Sequence, residues 1–216
     1  MQKLRISFRR GAELKFISHL DMMRLWVRAL RRAQIPLVYS EGFSPHPKIA
    51  LAVPLSVGVT GEAELMDITV NRMISPQWFK DAVNRQLPKG VEVLDVFTVA
   101  PTTPSLQSQV RYAIYRVELL TAKTTEEINN EIRRLLAQEN IPWYHERDTG
   151  RREYNLRALI EMIEIIDSQP GKCRLEMKLR CDENGSGRPE QVVYALGFNE
   201  YPASVQRTRL VLGAAR

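Results

Sequence analysis

Leu4, Ile6 and Phe8 alternate with Arg5, Ser7 and Arg9, the period of two that marks a half-buried strand over residues 3–10. Beyond Ser18 the period lengthens to that of a helix. Met22, Met23, Trp26, Val27, Ala29, Leu30 and Ala33 fall on one broad face, at about 100° per residue. Ser18 reads as the N-cap, and Asp21 three residues later makes an acidic variant of the capping box. The helix runs to Gln34, because Pro36 cannot continue it. Leu37–Tyr39 and residues 48–54, with apolar Ile49, Leu51 and Val53, flank a loop. AELMDITV, residues 63–70, is a third strand. Ser75 and Pro76 then open a helix as N-cap and first turn, carrying Trp78, Phe79, Val83 and Leu87 to a stop at Pro88. VEVLDVFTV, residues 91–99, is a strand again.

This order, βαββαβ, predicts an α+β fold of the ferredoxin-like type, with both helices on one face of an antiparallel sheet. Residues 101–109, short polar residues with two prolines nearby, read as a linker. Strand-like VRYAIYRVELL (110–120), a helix capped by Thr125 and running to about Glu139, strand-like pieces at 141–146, 153–166 and 172–181, a short helix near 189–196 and SVQRTRLVL follow. The expectation is two ferredoxin-like units, residues 1–100 and 110–216.

Composition bounds the chemistry. The chain has 216 residues, 44% hydrophobic and 26% charged, enough for a true core and too apolar for disorder. It contains no uncharged apolar run of about 18 residues, so no membrane span is predicted. MQKLRISFRR lacks the apolar core of a signal peptide, and a cytoplasmic location is the default expectation. Cys173 and Cys181 are the two cysteines, and no histidine lies near them in sequence. A zinc site or iron–sulfur cluster built by this chain alone is not expected, and no cofactor is predicted.

Net charge is +6, and residues 1–60 hold ten Lys/Arg against three Asp/Glu, a local +7. Basicity gathered in one segment points to an anionic partner. Arg24, Arg28, Arg31 and Arg32 share the helix face opposite the apolar one, with Asp21 the one acid among them. Guanidinium groups in such a row suit phosphate oxygens, whereas a face that is merely solvated mixes signs.

The loop SEGFSPHPKI, residues 40–49, is the second candidate. Pro45 and Pro47 fix the backbone around His46, Gly42 permits a positive φ, and Phe43 and Lys48 complete a gripping surface. Catalysis by His46 would need a partner, for which His19 and Asp21 at the helix start are the nearest weak candidates. His145 has no neighbours in sequence that point to catalysis, and three scattered histidines do not make a metal site.

These residues carry a resemblance. Phe16-Ile17-Ser18-His19-Leu20-Asp21, the arginines 24 to 32, Tyr39-Ser40-Glu41-Gly42-Phe43-Ser44-Pro45-His46-Pro47-Lys48, Pro54-Leu55-Ser56-Val57-Gly58 and Met66-Asp67-Ile68 resemble the opening of the radical-SAM-linked protein family, the domain of unknown function 2344. Arg188-Pro189-Glu190 and Val205-Gln206-Arg207-Thr208 resemble it less specifically. The resemblance implies a partner of a radical SAM enzyme and brings no settled activity. Tyr154-Asn155-Leu156-Arg157 departs from the family's acidic pattern, which weakens a catalytic carboxylate there. The chain has no CxxxCxxC, so it is not the radical SAM component.

Three functions compete on this reading. The first is a non-catalytic accessory protein that contacts RNA or another polyanion through the arginine helix and the GFSPHPK loop. The second is a metal-independent, histidine-dependent ribonuclease-like or RNA-modifying enzyme. The third is an adaptor whose basic face docks on an acidic protein.

Overall fold

A computed structural model of the protein describes residues 1–147 and 150–213, with the side chains of residues 145–147, 151 and 152 excepted. Mostly antiparallel strands and five α-helices make up the described structure. The chain divides into two compact units, one of Met1–Val110 with the residues from Arg207 onward, the other of Arg111–Gln206.

In the first unit, β1 (Gln2–Arg10) lies between β3 (Thr60–Val70) and β4 (Val91–Val99) and is antiparallel to both; α1 (His19–Arg32) and β2 (Ile49–Leu51) lie between β1 and β3 in the chain, and α2 (Pro76–Asn84) joins β3 to β4. β2 adds to β3 with Ile49 opposite Ile68. The sheet order is β3-β1-β4, and β3 pairs on its other side with the strand of Ser204–Leu212 as well as with β2. The alternation of β1 sends Leu4, Ile6 and Phe8 inward to meet Trp26 and Leu30 of α1 and Phe79 and Val83 of α2. Phe8 and Trp26 meet edge to face, their ring centres 4.9 Å apart. Each such side chain contributes about 1.5–3 kcal/mol through burial, which outweighs the modest helix propensity of a 14-residue segment.

The ends of α1 form as the residues dictate. The Ser18 hydroxyl accepts the Asp21 backbone N–H at 3.1 Å. At the other end Gln34 takes a φ of 55°, and the Ile35 N–H reaches back to the Leu30 carbonyl at 3.0 Å. That is a Schellman-type stop, completed before Pro36.

Residues 101–109, expected as a linker, are packed into the first unit. Leu106, in the short helix α3 (Leu106–Gln109), is buried. The Lys3 ammonium donates to the Thr103 carbonyl at 3.3 Å, Arg5 to the Gln109 amide oxygen at 3.3 Å, and the Gln107 amide to the Leu51 carbonyl at 2.7 Å. One buried apolar residue and a few polar bonds hold a segment whose composition reads as loose.

The second unit contains β5 (Val110–Leu120), α4 (Thr125–Leu136), the β6 (Pro142–Arg147) and β7 (Gly150–Asn155) hairpin, β8 (Ile160–Gln169), β9 (Lys172–Asp182), β10 (Gly185–Ser186) and α5 (Pro189–Ala195). β9 pairs antiparallel with β5, β8 and β10. A full capping box opens α4, with Thr124 as N-cap one residue earlier than the sequence pattern implies. The strand-like run 153–166 is broken in two. The Asn155 side chain accepts the N–H groups of Ile141 and Arg157, and the Arg157 guanidinium donates to the carbonyls of Leu136 and Ile160. Side-chain bonds to backbone here compete successfully with the ladder.

β11 (Ser204–Leu212) opens in the second unit, and its residues from Arg207 on belong to the first. This corrects the expected span of 110–216 for the second unit. The physical reason is an ion pair described below.

Candidate polyanion interface

The chain places Arg24, Arg28, Arg31 and Arg32 on the exposed side of α1, opposite buried Met22, Trp26, Ala29 and Leu30. Arg24, Arg28 and Arg32 succeed one another every four residues and line a groove of about 480 Å³. Its lining also includes Asp21, apolar Leu14, Ile17, Leu25 and Ala29, and Gln86–Pro88 after α2. Arg24 is paired with Asp21 at 3.1 Å. Arg28 and Arg32 form no ion pair among the described residues.

Part of the N-terminal basicity turns out to be internal. Arg5 holds Asp67 through two bonds of 2.8 and 3.1 Å, and Lys3 lies 3.2 Å from the same carboxylate. Arg10 is buried and donates to the carbonyls of Leu14 and Lys15 at 3.1 and 2.7 Å, closing the turn before α1. Burial lowers its pKa, while nearby Glu64 opposes that shift. The local +7 therefore overstates the outward charge, since Asp67, beyond residue 60, holds Arg5 and Lys3, and Arg10 is buried against backbone carbonyls. What remains facing solvent is concentrated on α1 and the loop after it.

That loop is a tight hairpin extension. The Ser40 N–H donates to the His46 carbonyl at 2.8 Å, the His46 N–H to the Ser40 hydroxyl at 3.0 Å, and Tyr39 bridges to Pro47. Gly42 sits at φ 117°, a conformation that disfavours a side chain. Phe43 at the tip is fully exposed, and His46 and Lys48 face solvent. One contact joins the loop to the helix: Arg31 Nε donates to the Tyr39 hydroxyl at 3.4 Å. Tyr39 was not singled out among the site residues, although it stands directly before the loop.

The catalytic candidates are dispersed. Asp21 accepts from the Ser18 hydroxyl at 2.8 Å and from Arg24. These two partners, Ser18 foremost, hold its carboxyl below the usual range. A base so depressed is a poor proton acceptor at neutral pH. His19 borders a small cavity with Phe8, Met22 and Glu64, while His46 stays on the hairpin. Among the described residues no hydrogen bond connects His19, His46 and Asp21, and no group of three potential ligands is placed to hold a metal. The side chain of His145 lies outside the described residues.

Behind that small cavity Glu64 and Arg207 are both buried and paired, with a second guanidinium N–H of Arg207 on the Val53 carbonyl. Sequence reasoning did not find this pair, since no local pattern links a β3 carboxylate to an arginine near the C-terminus.

A family model described as an uncharacterized protein conserved in bacteria (DUF2344) matches residues 3–189. The chain belongs to that family. No curated protein matches the chain. Among solved structures it is similar to a chain of a Cbf5–Nop10–Gar1 complex, with a TM-score of 0.53, 10% identity, and 97% of this chain and 48% of that one covered. It is also similar to a chain of an H/ACA RNP bound to a substrate RNA containing 2′-deoxyuridine, with a TM-score of 0.49, 10% identity, and 97% and 47% covered. The chain spans about half the length of these two solved chains. At this identity the first likeness speaks of fold alone, and of a mixed α/β fold. Among the described residues no helix is long and apolar enough to cross a membrane.

Proposed function

We propose that this DUF2344 protein is a non-catalytic accessory protein that contacts RNA through α1 and the 42–48 loop, as the cytoplasmic partner of a radical SAM enzyme. The observation that carries the RNA contact is the row of Arg24, Arg28, Arg31 and Arg32, joined through the Arg31–Tyr39 bond to a loop presenting Phe43, His46 and Lys48. Gly42 serves the loop's turn. Guanidinium groups supply directed donors to phosphate oxygens, and a hairpin stiffened by two prolines loses little entropy on binding. The radical SAM partner rests on the sequence resemblance. The order β3-β1-β4 with β2 added to β3 and two intervening helices supports reading the first unit as ferredoxin-like, with β11 an additional strand beside β3.

The test is fluorescence anisotropy of labelled transfer RNA against the intact protein across a salt series. Affinity is expected to fall linearly in log–log form. An affinity that is absent, or indifferent to salt, overturns the RNA reading.

A further inference from the structure

Resting on that reading, we infer that the nucleic acid taken by this surface is single-stranded, with its backbone along the Arg24–Arg28–Arg32 groove and an unpaired base stacked on Phe43. Residues four apart on a helix rise about 6 Å, so these three guanidiniums are laid out over about 12 Å. Consecutive phosphates of one strand recur at a comparable interval, and one strand can touch all three. Gln86, Leu87 and Pro88 also line the groove, with Asp21 beside Arg24 the one carboxylate among the lining residues. Leu14, Ile17, Leu25 and Ala29 make part of the lining aliphatic, suited to ribose and base faces rather than to a second row of phosphates.

The loop supplies what a single strand requires and a duplex hides. Phe43 is fully exposed at the tip of a hairpin tied by the Ser40–His46 bonds, and no packing explains an aromatic ring held in water. An aromatic platform beside a cationic track is the usual device for unpaired bases. Lys48 and Arg31 lie at the base of the same hairpin, with Arg31 on Tyr39.

The experiment compares a fluorescein-labelled single-stranded RNA oligonucleotide with the same sequence annealed into a blunt duplex, using the full chain. The single strand is expected to bind at least tenfold more tightly. Arg24→Gln/Arg28→Gln/Arg32→Gln is expected to reduce the salt slope by about two units, at roughly 0.7 per phosphate. Phe43→Ala is expected to weaken single-strand binding roughly 5- to 150-fold without changing that slope. The Phe43 change removes a ring that packs on nothing, so it keeps the test open even if the triple variant misfolds. Equal or tighter duplex binding, or a Phe43→Ala variant that binds as the parent does, overturns the inference while leaving the RNA reading in place. Failure of both RNAs to bind overturns both.

Discussion

Glu64 and Arg207, 143 positions apart in the chain, form a buried ion pair inside the first unit. Arg207 Nε donates to one carboxylate oxygen at 2.9 Å and an Nη to the other, while the Val53 carbonyl takes a further donor at 2.6 Å. The pair fixes the C-terminal strand to a unit otherwise built from the first 110 residues. Removing one partner leaves an uncompensated buried charge, which costs about 3–5 kcal/mol. Arg207→Met is expected to lower the unfolding free energy by that amount, and Glu64→Leu combined with Arg207→Met to restore much of it. A double-mutant cycle measured by urea denaturation checks the coupling.

Gly61 bears on the same pair. A Cβ there would fall 2.6 Å from Glu64 Cγ and Oε1. The Glu64 carboxylate is held by Arg207 and has no room to move away. Gly61→Ala is therefore expected to destabilise by about 1–3 kcal/mol through overpacking. In a Glu64→Ala background the same change is expected to cost less, and urea unfolding of the four proteins gives the comparison.

The helix arginines are predicted to be dispensable for folding. Arg28→Ala with Arg31→Ala removes no buried group, so each change is expected to shift stability by no more than about 0.5 kcal/mol. RNA affinity is expected to drop and its salt slope to flatten by roughly one to two units. Circular dichroism melts and anisotropy on the same samples separate the two effects.

Glu127 gives a pH dependence with a definite sign. Its carboxylate accepts the Thr124 backbone N–H at 2.6 Å and the Thr124 hydroxyl at 2.9 Å, and these bonds hold its pKa below the ordinary value. The folded value lies below the unfolded one, so the stabilisation of α4 is fully present above the unfolded value of about 4.3. It is lost as pH falls through the lower folded value. Thr124→Ala is expected to move the Glu127 carboxyl resonance back toward the unfolded range in an NMR titration. It is also expected to destabilise the protein by about 1 kcal/mol.

How much of this was legible depended on the range of the interaction involved. The strand of residues 91–99, the cap at Ser18, the stop before Pro36 and the row of four arginines depend on neighbours within a few positions, and each appears where the local pattern placed it. The turn at Gly42 and the exposure of the 42–48 loop follow from residue type in the same way. Local signals misled where a side chain reached across the fold. Leu106, Lys3 and Gln109 drew a polar segment into the first unit, and Arg157 and Asn155 broke an apparent strand. Charge was misjudged for the same reason, because Arg5 and Arg10 count as basic in any window of sequence. Their partners, Asp67 and the carbonyls of Leu14 and Lys15, are assigned only when β1, β3 and the turn before α1 come together. The pairing of Arg207 with Glu64 lies furthest from any local pattern. An arginine in an alternating strand reads as solvent-facing, and only the closed sheet, by excluding water and presenting one carboxylate, makes it the anchor of the C-terminal strand.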